Sequence, residues 1–174
     1  ILATITVSAV VLITLVSWDL RRTSASLAWS SAMSASTDIE RATGLLESQV
    51  DAPERPFFTN SLFIELFNAA FDEHNLENED NAFQLMHTAR QLLLDYQEHD
   101  PYKRDVQINL FRTEILLSNW GQTDFTEQAV HRAERIFKLY PAYLSMLQIV
   151  ADDMRFVGRD DLADEYNARI NATR

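Results

Sequence analysis

Apolar residues follow two different patterns along this chain. From Ile1 to Trp18 (ILATITVSAVVLITLVSW) they run almost unbroken, with no charge in 18 residues. From Thr37 onward they recur every three or four positions, the spacing that lays one side of an α-helix on a core. Ile39, Ala42, Leu45, Leu46 and Val50 form the first such stripe. Leu62, Phe63, Leu66, Phe67, Ala70 and Phe71 form the next, then Phe83, Met86, Ala89, Leu93 and Tyr96, then Val106, Leu110, Ile115 and Leu117. Stop signals separate them: Pro53 and Pro56, the polar loop Asn75–Asn81, Asp100-Pro101, Gly121, Tyr140-Pro141 and Gly158. Thr37-Asp38-Ile39-Glu40 and Asp124-Phe125-Thr126-Glu127 fit capping boxes, and Asp80 can cap the helix that runs to about His99. No stretch alternates as a strand does. The pattern predicts an all-α chain.

A helix over Ile1–Trp18 would be about 27 Å long, close to the hydrocarbon thickness of a bilayer. Trp18 stands where an interfacial aromatic belongs, and Asp19, Arg21 and Arg22 follow it. The predicted organisation is a transmembrane helix and flank over 1–22, a Ser/Ala-rich linker or helical continuation over 23–36, and a helical-repeat domain over 37–174. Two other readings fit the apolar run: a secretory signal peptide, with small-residue sites at Ser24-Ala25-Ser26 and Ser30-Ser31-Ala32, and a buried core helix. Arg21 and Arg22 favour the cytoplasmic side for the following domain. Opening at Ile1 without Met, the sequence reads as a fragment of a longer chain.

Two small-residue/proline pairs suggest a repeat. Ala89 precedes Pro101 by 12 residues, and Ala129 precedes Pro141 by 12. The tetratricopeptide unit of roughly 34 residues places a small residue where its helices cross and a proline after its second helix. Counting on from Pro141, Leu144 opens a new unit, Val150, Ala151 and Met154 take its first-helix positions, Gly158 its turn and Ala163 its second small position. The unit after Pro101 departs from the pattern: Phe111 stands where a small residue belongs, and Pro101 to Pro141 spans 40 residues. Ala42 to Pro53 is one residue short. A non-repeating helical bundle is the alternative. In both cases antiparallel helical hairpins follow one another, and the expected architecture is a transmembrane helix followed by stacked, degenerate tetratricopeptide-like hairpins.

Composition narrows the chemistry. Three Gly and four Pro in 174 residues argue against turn-rich β folds. Fifteen Lys+Arg against 26 Asp+Glu give a net charge of −11, which disfavours nucleic acid as a partner. There is no Cys, hence no disulfide or thiolate site. His74, His87, His99 and His131 include no pair at helical ligand spacing, and the acids around Glu73–Asp80 lack a calcium-loop pattern. No nucleophile elbow, phosphate loop or metalloprotease motif occurs. No cofactor and no catalytic residue are expected in this segment.

The remaining candidate is a binding surface. In the repeat register, Asp105, Ile108, Arg112 and Ile115 share the inner face of one first helix. Ser145, Gln148, Asp152 and Arg155 share the next. Such a mixed surface suits an extended protein or peptide segment, with Arg112 and Arg155 as carboxylate anchors.

The Ile1–Trp18 span, Asp19-Leu20-Arg21-Arg22, Asp100-Pro101, and Ala133 through Tyr140-Pro141 to Gly158–Ala163 together resemble the C-terminal part of a bacterial O-antigen ligase or polymerase-type membrane protein. Some members of that family carry a tetratricopeptide-like tail after their last span. The resemblance implies a non-catalytic interaction tail on a glycan-assembly enzyme of the inner membrane, whose reacting residues lie in loops outside this segment. The alternative is a single-pass envelope scaffold with no enzyme attached.

Overall fold

The computed structural model describes residues 2–35, 37–49 and 55–173, and the side chains of 1–12, Met33, Asp38, Ile39, Ala42 and 47–58 lie outside that description. All its regular elements are helices, with no strand among the described residues: α1 (Leu2–Met33), α2 (Asp38–Gln49), α3 (Arg55–Asn75), α4 (Glu79–His99), α5 (Arg104–Asn119), α6 (Asp124–Leu139), α7 (Leu144–Phe156) and α8 (Asp160–Thr173). The chain divides into two compact units, Ile1–Leu85 and Met86–Arg174, with the division inside α4.

In the first unit α1 packs on α2 and α2 on α3. The Ser/Ala-rich stretch is not a linker: α1 runs through it without a break to Met33, and Thr23 Oγ1 donates to the Asp19 carbonyl at 2.8 Å. Thr37 caps α2 as expected, its Oγ1 accepting from the Glu40 amide at 3.2 Å. The helices cross closely there, since a Cβ on Gly44 would lie 2.9 Å from the Ala32 Cβ. Leu45, Leu62, Leu66 and Ala70 are sealed from solvent. Pro56 lies within the first turn of α3 and starts that helix instead of breaking the chain. Pro53 and Val50 lie outside the described residues, as does the Ala42–Pro53 spacing at its proline end.

Among the described residues no helix is long and apolar enough to cross a membrane. Twelve of the 18 side chains in the Ile1–Trp18 run lie outside the description, although its backbone from Leu2 on belongs to α1. Its described end is exposed: Ile13, Leu15, Val16, Trp18 and Leu20 each keep half or more of their surface in solvent.

In the second unit α5 packs on α6, α7 on α8, and α7 touches both α5 and α6. Its core joins Phe111, Ala129, Ala133, Ile136, Val150, Ala151, Met154, Ala163, Tyr166 and Ile170. The small residues Ala129, Ala151 and Ala163 are all fully buried. Ala151→Leu should therefore overpack its helix contact and cost about 1–3 kcal/mol. His131→Leu, at an exposed position of α6, should stay within about 0.5 kcal/mol. Urea midpoints of the two variants compare them directly.

The turns follow two recipes. Two residues past the ends of α3, α5 and α7 stands a residue with positive φ: Glu77 at 61°, Gly121 at 100° and Gly158 at 72°. In all three the next amide reaches back five residues, Asn78 to Glu73, Gln122 to Leu117 and Arg159 to Met154, at 2.9–3.1 Å. After α4 and α6, Asp100-Pro101 and Tyr140-Pro141 form turns closed by Lys103 and Tyr143 amides at 3.2 and 3.0 Å. Two expected caps differ. α4 starts at Glu79, so Asp80 lies in its first turn. The second capping box does not form: Thr123 is the N-cap of α6 and makes no side-chain cap bond. Phe125 and Thr126 amides bond to Gln122 and Thr123 carbonyls instead, tightening that turn.

Glu77 occupies a conformation that costs an L side chain about 1–2 kcal/mol. Glu77→Gly should raise stability by about 1 kcal/mol, while Gly158→Ala should lower it by a similar amount. Opposite shifts of the thermal midpoint are the expected readout.

Candidate interaction surface

α5 presents one exposed edge. Asp105 is exposed and pairs with Arg104 (Nε–Oδ1 3.3 Å), and Ile108 is half-buried against the core. Arg112 stays exposed and reaches Asp153 of α7 at 3.8 Å. Burial raises the Asp153 carboxyl above the usual range, and the Arg112 guanidinium partly offsets this. Ile115 does not belong to this edge: it is 5% exposed and sits in the core with Phe111. The reason is angular. At about 100° per residue, Ile115 lies about 80° round from Asp105, whereas Leu116 lies only about 20° away.

The expected face on α7 is also occupied from within. Gln148 Nε2 donates to Asp152 Oδ1 at 3.1 Å and to Asn167 Oδ1 of α8 at 2.8 Å. Arg155 bonds Asp152 at 3.4 Å and Asp164 of α8 at 3.0 Å. Arg112 and Arg155 thus have separate acidic partners, Arg112 toward α7 and Arg155 toward α8.

The most developed polar site is one that sequence reading missed. Glu114 of α5 is fully buried. Arg132 of α6 forks onto it, Nε to Oε2 at 2.7 Å and Nη2 to Oε1 at 2.9 Å. Arg90 of α4 adds Nε and Nη2 bonds to Oε1 at 3.3 and 3.2 Å. The spare guanidinium protons are taken up by glutamines: Arg132 Nη1 by Gln97 (3.0 Å) and Gln107 (3.3 Å), Arg90 Nη2 by Gln128 (2.7 Å). Gln107, itself buried, donates onward to the Pro101 carbonyl at 3.0 Å. Arg90 also lies 5.1 Å over the Phe125 ring, and His87 bonds Gln122 at 2.8 Å beside it. Every partner of the carboxylate is bonded, so the cluster fixes α4, α5 and α6 in one register and offers no open position to a ligand. One signal was available in the sequence: Gln107 and Glu114 fall on the stripe of Leu110 and Leu117, at core positions.

A second cluster joins α6 and α8. Tyr166 is fully buried and stacks on Phe137 at 4.6 Å, with Arg169 over both rings and paired to Glu134 at 2.9 Å. Burial first, then the Glu134 carboxylate, pushes the Tyr166 phenol well above the usual tyrosine range. The folded state therefore holds this proton more tightly than the unfolded one. Stability should be intact below about pH 10 and fall above it by up to about 1.4 kcal/mol per unit. Tyr166→Phe should remove that component, seen as a shallower decline of the denaturation midpoint between about pH 10 and 11.

Among the described residues no group of three or more His, Asp or Glu could hold a metal ion. No protein family, curated protein or solved structure matches this chain, so the resemblance to O-antigen ligase tails rests on the quoted residues alone.

Proposed function

We propose that this chain is a membrane-held, tetratricopeptide-like protein-interaction module, the non-catalytic tail of an O-antigen ligase-type envelope protein. The observation that carries the reading is α1: one helix of 32 residues with an uncharged apolar run at its start and the helical body at its end. In this reading Ile1–Trp18 lies in the inner membrane, Arg21 and Arg22 stay on the cytoplasmic side, and the helical body works there as a binding scaffold. Support for the repeat comes from the like closures at Glu77, Gly121 and Gly158 and from α7 touching both helices of the preceding hairpin. A protein segment would lie along Asp105, Ile108 and Arg112, with Gln148, Asp152 and Arg155 beyond. A partner carboxylate would compete with Asp153 for Arg112, whose side chain is exposed and whose contact with Asp153 is long at 3.8 Å.

Two measurements test it. The full chain should stay with membranes through carbonate washing, and Val10→Asp/Ile13→Asp should release it. Cross-linking of membrane extracts should map partner segments to the Asp105–Arg112 edge, and Asp105→Ala/Arg112→Ala should weaken that link. A chain washed off membranes without substitution refutes the anchor, and equal cross-linking by the variant refutes the surface.

A further inference from the structure

A different face carries a more specific partner. On α3, Ile64 and Phe71 are 46% and 43% exposed, and Leu76 just beyond the helix is 75% exposed. Ile64 and Phe71 are seven residues apart, so they stand on one side about 10.5 Å from each other. Half-buried Phe67 lies between them, held against Phe63 with ring centroids 5.4 Å apart. The stripe is thus a supported apolar ridge. The chain that bears it carries one sign of charge over a long stretch: between Arg55 and Arg90, residues 56–89 hold six Asp+Glu and no Lys or Arg. Glu65 and Asp72 flank the ridge on α3, and exposed Glu77, Glu79 and Asp80 follow Leu76.

From this we infer that the α3 face is a docking site for a basic amphipathic helix of another protein. Apolar residues at i and i+7 of such a helix would meet Ile64 and Phe71, which share that spacing, and flanking Lys or Arg would meet the acids. The same charge opposes an anionic leaflet and a nucleic-acid backbone. A second copy could present the α1 edge where exposed Leu20 and Leu27 flank Arg21 and Arg22, and its docking would form a dimer. The inference rests on reading the helical body as a protein-binding module and is independent of membrane attachment and of the α5 edge.

The test uses the full chain in uncharged detergent micelles and a fluorescent Lys/Leu peptide of about five helical turns with amphipathic spacing. Anisotropy should show binding that weakens as salt rises. Ile64→Ser/Phe71→Ser should weaken it about tenfold or more. Glu65→Gln/Asp72→Asn, which leaves the apolar ridge intact, should weaken it and flatten its salt dependence. Phe156→Ser, at an exposed aromatic of α7, should change nothing. Peptides with Glu for Lys, or with the same residues scrambled, should bind far less. Equal binding by the ridge variant, equal binding of the scrambled peptide, or no binding overturns the inference. So does a sedimenting dimer of the wild-type chain that Ile64→Ser/Phe71→Ser converts to monomer, because it gives the face to a second copy. Release from membranes by Val10→Asp/Ile13→Asp leaves all these outcomes unaffected.

Discussion

Glu114→Ala should be among the most damaging single substitutions in the chain, lowering stability by about 3–5 kcal/mol. The carboxylate is fully buried, and the arginines it neutralises are nearly so, with side chains 19% and 11% exposed. Removing it leaves two guanidinium groups facing each other in a site from which water is excluded. Domains of this size have only about 5–15 kcal/mol in total. Chemical denaturation should show the loss as a shift in midpoint with an unchanged slope. Replacing Arg90, Glu114 and Arg132 together by Met or Leu should recover most of it, because no charge is then left unpaired. A triple variant as unstable as the single one would mean that shape, and not charge, sets the cost.

Phe111→Ala should have a comparable effect, about 3–5 kcal/mol, although it brings the chain closer to the repeat pattern. That pattern wants a small residue at this position of the first helix. The structure puts the Phe111 ring at zero exposure in the core shared by α5 to α8. Ala there would open a cavity that the neighbouring helices cannot collapse to fill. A thermal midpoint that rises, or stays within a degree or two, would show that the consensus residue fits after all.

Much of the architecture was legible because it depends on local signals. Helical stripes, Gly121 and Gly158 after their helices, and proline after α4 and α6 are all fixed within a few residues of chain. Glu77 shows the limit of such signals, since it makes the same closure as the two glycines with a residue that does not advertise it. Pro56 was read as a break because a proline in sequence does not reveal which turn of a helix it occupies. The second capping box failed because Thr123 takes the cap position one residue ahead of Asp124.

The surface was less legible. Asp105, Ile108, Arg112 and Ile115 were placed on one face of α5 by the repeat register, and the last of the four is buried in the core. Asp152 stands at helical spacing from both Gln148 and Arg155, but their α8 partners could not be read, because Asn167 and Asp164 belong to the next helix. The Glu114 cluster draws on residues 18 and 24 positions away, and only the folded arrangement reveals that its charges cancel. A polar residue on an apolar stripe announces that some partner is needed without naming it.

The unbroken course of α1 turns chain length into an angular setting. Each residue advances the helix by about 1.5 Å and rotates it by about 100°. Ala32, which meets Gly44 of α2, is 19 residues beyond Ile13, so it stands about 28 Å along the axis and about 100° round from it. The apolar run and α2 are geared together like two marks on one shaft. Inserting one residue between Arg22 and Ala32 would swing α2 by about 100° about that shaft. Deleting seven would bring it about 10.5 Å closer while restoring its azimuth to within about 20°.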